Sequence, residues 1–226
     1  VINNVDDVDA AVRRAEARRL GGEIDDFALV RDHLSFALEE CGLSIADLGR
    51  IPHYSDWALV AVTLPGSPWL VHCDAEVEVS QAEPGRDWIS ASIERLEQDP
   101  RLLVANPAWS PTEAAREAEQ IDGSFALGYG FSDQLFLARR RELARPIYRE
   151  RHPLSLRYPL AHIARTFECR VDAFMRCHER RRATHLDVEY RHCGPTGRSY
   201  PDATRVERWR RRWQRRVLRR YRNRMA

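Results

Sequence analysis

The chain contains no lysine, so all 36 of its cationic side chains are arginines. Its five cysteines (Cys41, Cys73, Cys169, Cys177 and Cys193) are odd in number and include no CxxC pair. That argues against a disulfide framework and for a reduced, intracellular protein. Long apolar runs are also lacking. The longest, 57–71, is interrupted by Pro65, Gly66 and Pro68 and is too short to span a bilayer. Val1-Ile2-Asn3-Asn4 resembles neither a signal peptide nor a transit peptide. The expected location is cytoplasmic, with peripheral contact to the inner face of a membrane left open by the C-terminal segment. Internal repeats are absent.

What is present suffices for a core. Of 226 residues, 43% are hydrophobic and 9% aromatic, which excludes a disordered or collagen-like chain. The formal charge is only +2, but it is unevenly spread. The stretch 205–224 holds 11 arginines and one acid, Glu207, and the remainder has 25 cations against 33 anions. An acidic body therefore carries a basic tail.

Helical patterns are predicted over 9–20, closed by Gly21-Gly22, and over 32–41, 87–98, 111–120 and 167–182. Short apolar runs at 24–30, 69–73, 102–105 and 135–138 read as strands, and 57–64 is an apolar stretch rich in alanine and valine. The continuous run Trp69-Leu70-Val71-His72-Cys73 suits a strand buried on both faces of a mainly parallel sheet. Strands alternating with helices predict an α/β fold. Gly194-Pro195-Thr196-Gly197 breaks the chain before the tail helix.

The most informative segment follows that run. Asp74-Ala75-Glu76 places two carboxylates two positions apart at a strand end, where open α/β sheets bind ligands. Hard divalent cations take carboxylate oxygens together with substrate phosphate oxygens. The bland alternative is solvated charge at a loop start.

Taken in order, Ile2-Asn3-Asn4, His53-Tyr54-Ser55-Asp56, Asp74-Ala75-Glu76 and Phe131-Ser132-Asp133-Gln134-Leu135-Phe136-Leu137 resemble nucleotide-sugar glycosyltransferases of the GT-A fold, closest to the family 2 type. The resemblance covers about residues 1–140. It implies a GT-A-like (Rossmann-like) mixed, mainly parallel sheet flanked by helices, with a C-terminal helical extension. The family's first strand would lie upstream of Ile2, and Glu76 stands where the family's D-x-D motif has aspartate. The resemblance further implies that Asn3, Asn4, Asp6, Ser55 and Asp56 bind the nucleotide, that Asp74 and Glu76 hold Mn²⁺ or Mg²⁺ on the donor diphosphate, and that Asp133 is the base of an inverting transfer. His192, with His162 as second choice, would complete the metal shell. Three regions follow: a nucleotide-sugar-binding core (1–150), an acceptor-side region (151–202) and a basic amphipathic tail (203–226).

Other readings stay open. Ser132-Asp133 also suits a helix N-cap, and Trp109 suits either a sugar platform or the core. A non-catalytic scaffold and a metal-dependent nucleotidyltransferase are the alternative functions. His178, His185 and His192 recur every seven residues; on a helix that is ~10.5 Å per step, too far to share a zinc ion. Glu168 and Asp172 lie near Arg165 and Arg176 at salt-bridging spacing. In the tail, Val206, Trp209, Trp213, Val217, Leu218, Tyr221 and Met225 form a stripe among arginines. It suits an anionic membrane carrying a lipid-linked acceptor, docking on the body or a second subunit, or, least well given the acidic body, nucleic acid.

Overall fold

A computed structural model of the chain describes residues 1–81, 87–193 and 203–225. The elements are α1 (Val8–Leu20), α2 (Val30–Glu40), α3 (Asp56–Thr63), β1 (Trp69–Cys73), β2 (Val77–Gln81), α4 (Trp88–Gln98), β3 (Leu102–Ala108), α5 (Pro111–Glu117), β4 (Gln120–Asp122), β5 (Phe125–Gly128), β6 (Leu135–Arg139), α6 (Arg140–Leu143), α7 (Phe167–Cys177), β7 (Arg181–His192) and α8 (Arg205–Met225). The chain break at 194–197 and the side chain of Met225 lie outside the described residues.

One mixed sheet runs in the order β1-β6-β3-β7-β5-β4, and β2 also pairs with β7. The class is α/β, as predicted, but the sheet is mostly antiparallel. β3 and β7 pair in parallel; β1–β6, β3–β6, β2–β7, β4–β5 and β5–β7 are all antiparallel. An apolar run reports that both faces of a strand are covered, not which way its neighbour points. β1 departs from the expectation a second way. Among the described residues it has one strand neighbour, β6, and Val71 and Cys73 are exposed. β3, by contrast, is buried along its whole length.

Side-chain alternation sorts the strands between two cores. Along β6, Phe136 and Ala138 face a cluster with α2, α3 and α7, while Leu135 and Leu137 face α4. A register shift between Leu102 and Val104 puts Leu103 and Val104 together in the first cluster, with Leu102 and Ala105 in the second. Burying each such side chain contributes about 1.5–3 kcal/mol.

The helices follow local rules. Asp87 caps α4 by accepting from the Ile89 N–H at 3.0 Å, and Trp88, Ser92 and Leu96, four apart, form its buried face. The alanine- and valine-rich stretch is α3, packed on α2. α7 stops at Cys177 rather than running to 182, because Glu179 takes φ +51° and turns the chain into β7. The predicted strand at 24–30 reduces to one parallel bridge, Ile2 to Leu29.

Candidate active site

The turn after β1 is fixed by its backbone. The Asp74 N–H donates to the Gln134 carbonyl at 2.8 Å, and the Val77 N–H donates to the Asp74 carbonyl at 3.1 Å. This sets Asp74 beside the segment that carries Asp133. β2 then pairs Val77 with His192, and the Cys193 N–H donates to the Glu76 carbonyl at 2.7 Å. The pairing brings His192 Nε2 to 2.9 Å from Glu76 Oε2. Glu76 and the favoured histidine, far apart in sequence, thus meet at one end of the sheet, with Asp74 two residues before Glu76 in the turn.

Asp133 sits in a clamped segment. The Phe131 N–H donates to the Tyr158 hydroxyl at 2.8 Å, and that hydroxyl donates to the Phe131 carbonyl at 2.9 Å. The Tyr190 hydroxyl donates to Ser132 Oγ at 3.1 Å, and the Asp133 N–H points to Glu168 Oε1 at 3.5 Å. Burial pushes both tyrosines above their ordinary pKa, so both remain protonated donors. The helix N-cap reading of Ser132-Asp133 is overturned, because β6 follows rather than a helix. Glu168, explained from sequence as salt-bridge support, is instead beside the candidate base. Asp172 does pair with Arg176, at 2.9 Å and fully buried.

The predicted nucleotide-binding residues divide. Asn3 Nδ2 donates to Asp56 Oδ1 at 2.8 Å, and burial raises the Asp56 pKa despite the Trp57 N–H, which donates to the same oxygen at 2.7 Å. Ser55 Oγ is buried and accepts the Phe167 N–H at 2.9 Å. Asn4, at φ +50°, and Asp6 are exposed and share no hydrogen bond with that group. Contacts lead on from it: the Trp57 ring stacks on His72 at 4.2 Å, two residues before Asp74.

His72 gave no signal in the sequence. Its Nε2 is buried without a hydrogen-bond partner among the described residues, and burial pushes its pKa down to about 4 from an ordinary 6.5. The unfolded chain therefore binds a proton here, between those two values, that the folded protein does not. Stability is complete above the upper value and is lost as pH falls to the lower, by up to about 3 kcal/mol. A His72→Phe variant keeps the stack on Trp57 and removes this share. Its melting temperature should fall less than the wild type's between about pH 7 and about pH 4.5; parallel melting curves would assign acid sensitivity elsewhere.

The three spaced histidines do not share a helix, so the helical distance used above does not apply. His178 ends α7 and meets Glu150 at 3.3 Å, while His185 and His192 lie on β7, where seven residues span ~23 Å. His185 is buried with its ring edge on Phe125. His162 lies under α8, not beside Glu76: its carbonyl accepts from Arg210 at 3.3 Å. All five cysteines are free thiols, and burial raises Cys41 to about 12 and Cys169 to about 11. Trp109 is half-buried and carries the Arg182 guanidinium 4.9 Å above its ring. It lines a cleft of about 360 Å³ with Ser132, Arg157, Tyr158, Arg182 and Tyr190.

The tail helix docks by its polar residues. Glu207 forms a capping box with Thr204, at 2.8 Å and 3.2 Å, and an ion pair with Arg50 at 3.1 Å. Gln214 donates to the Ala161 carbonyl at 2.9 Å. The stripe expected from sequence therefore splits: Val217, Leu218 and Tyr221 are half-buried, while Val206, Trp209 and Trp213 are exposed. No helix among the described residues is long and apolar enough to cross a membrane.

No protein-family profile matches the chain, and no curated protein or solved structure matches it.

Proposed function

We propose that the chain is a metal-dependent glycosyltransferase of the GT-A type, moving a sugar from a nucleoside-diphosphate sugar to an acceptor hydroxyl with inversion. The observation that supports this best is the Glu76–His192 contact, two residues along the chain from Asp74, whose backbone bonds to the segment that carries Asp133. Carboxylate oxygens fit Mn²⁺ or Mg²⁺, and an added imidazole nitrogen favours Mn²⁺, the softer of the two. Among the described residues no three His, Cys, Asp or Glu side chains form a ready metal centre. Such a donor set suits an ion that takes the rest of its shell from diphosphate and water. When bound, the ion would stabilise the charge of the departing nucleoside diphosphate.

The chain's own groups divide the remaining work. Asn3 and Asp56, with Ser55 fixing α3 to α7, hold the nucleotide. Asp133 takes the proton of the acceptor hydroxyl, and Tyr158 and Tyr190 fix its position. Calorimetric titration with nucleotide sugars, in Mn²⁺ and in chelator, tests the reading; one nucleotide sugar should bind only with metal. No binding by the folded protein would favour the second reading, a non-catalytic scaffold, in which the Glu76–His192 contact is a clip between β2 and β7.

The acceptor side of the proposal rests on α8. Exposed Val206, Trp209 and Trp213, flanked by arginines, suit the headgroup level of an anionic bilayer holding a lipid-linked acceptor. Vesicles rich in phosphatidylglycerol should bind the protein, and the double variant Trp209→Ala, Trp213→Ala should weaken that binding about tenfold or more. Equal binding by the variant would remove the membrane role.

A further inference from the structure

Arg182, on interior strand β7, is 7% exposed, and its Nε has no hydrogen-bond partner among the described residues. No described carboxylate pairs with it; its neighbour is the face of Trp109. Buried charge of this kind is ordinarily compensated by an ion pair. Here a second cation, Arg157, lies close by. Gly130 adopts φ +119°, and a Cβ placed there would fall 2.5 Å from one terminal nitrogen of Arg157 and 3.2 Å from one of Arg182. Both guanidinium groups therefore converge beside Gly130, the residue before Phe131, and both line the Trp109 cleft. Glu117 contributes one exposed carboxylate at the rim, so the cleft stays cationic. The tyrosine hydroxyls are used on Phe131 and Ser132, and Arg157 also lies over the Tyr158 ring at 5.5 Å, so Arg182 is the cation of the cleft with neither a carboxylate partner nor a bonded Nε among the described residues.

We infer that this cleft is a phosphate-binding site, in which Arg182 and Arg157 take the oxygens of a phosphate or diphosphate group against Trp109. A guanidinium presents paired N–H donors that match phosphate oxygens, and each such bond is charge-assisted. Arg157 also lines a second, smaller cleft of about 150 Å³ with Arg211 and Arg215 of α8. A cationic path thus joins the basic tail to Arg182. The phosphate has three sources: free in solution, on a nucleotide, or on a lipid arriving along α8. The site requires no metal, so it stands apart from the glycosyl-transfer reading.

Calorimetric titration with inorganic pyrophosphate, in chelator, tests it. The wild type should bind saturably. Arg182→Gln and Arg157→Gln should each raise the Kd at least about tenfold, whereas Arg14→Gln, on exposed α1, should not. Arg182→Gln removes an uncompensated buried charge, so its melting temperature should equal or exceed that of the wild type, which separates lost binding from lost fold. Gly130→Ala keeps both arginines while intruding on them and should also weaken binding. Competition by a nucleoside diphosphate would name a nucleotide as the source. Binding to phosphatidic acid vesicles that is lost in Arg182→Gln would name a lipid; pyrophosphate binding without either response would name free phosphate. No binding by the folded wild type, or equal affinity in Arg182→Gln and Arg157→Gln, overturns the site. Because chelator is present throughout, failure here leaves the metal-dependent reading to its own titration.

Discussion

Replacing Asp74 by asparagine should abolish metal-dependent binding of the nucleotide sugar without unfolding the protein. The backbone of Asp74 bonds to Gln134 and Val77, and asparagine retains both bonds. The substitution removes one negative charge from the proposed donor set. A loss of about a hundredfold or more in affinity is expected, equivalent to about 2.8 kcal/mol. Asp133→Asn should behave differently. Nucleotide-sugar binding should persist while turnover falls about 10²–10⁴-fold, the usual contribution of a positioned general base. Calorimetry on both variants, alongside turnover with any acceptor found, separates the two roles. Wild-type affinity in Asp74→Asn would remove the metal assignment, and wild-type turnover in Asp133→Asn would remove the base.

Phe167→Ala should be among the most destabilising single changes, at about 3–5 kcal/mol. Phe167 is fully buried, and its ring lies 5.6 Å from Phe131, 5.6 Å from Tyr148, 6.3 Å from Phe136 and 6.4 Å from Trp57. Truncation leaves a cavity where α3, α7 and β6 meet. The damage should reach the site, since Phe131 leads directly into Ser132-Asp133. Phe167→Leu fills most of the space and should cost substantially less. Chemical denaturation of the pair measures both values; near-equal stability would show that the aromatic cluster relaxes around the loss.

The sequence was most legible where one segment carries its own instructions. α4 shows its cap at Asp87 and its face in the spacing of Trp88, Ser92 and Leu96. β3 announced itself as a buried apolar run. Strand direction was not legible, because β1 and β6 meet antiparallel through residues that pattern alike in either orientation. The site divided in the same way. The carboxylates of Asp74 and Glu76 were visible as a strand-end pair, and His192 was reached through the family resemblance. Arg182, Arg157, Tyr158 and Tyr190 carried no signal, since the roles proposed for them depend on neighbours contributed by distant strands and turns. His72 was missed for a related reason: its lowered pKa comes from burial against α3, and no feature of its own segment specifies that.

The position of β7 bears on how the chain is made. It is the last strand in sequence among the described residues, yet it lies between β3 and β5 and also receives β2. Until residues 181–192 have left the ribosome, β3 lacks its parallel neighbour and β2 lacks its partner among the described strands. The sheet therefore assembles only once β7 has been synthesised, through contacts of long sequence separation that form slowly. During that interval unpaired strand edges are exposed, the state in which nascent chains aggregate or engage chaperones.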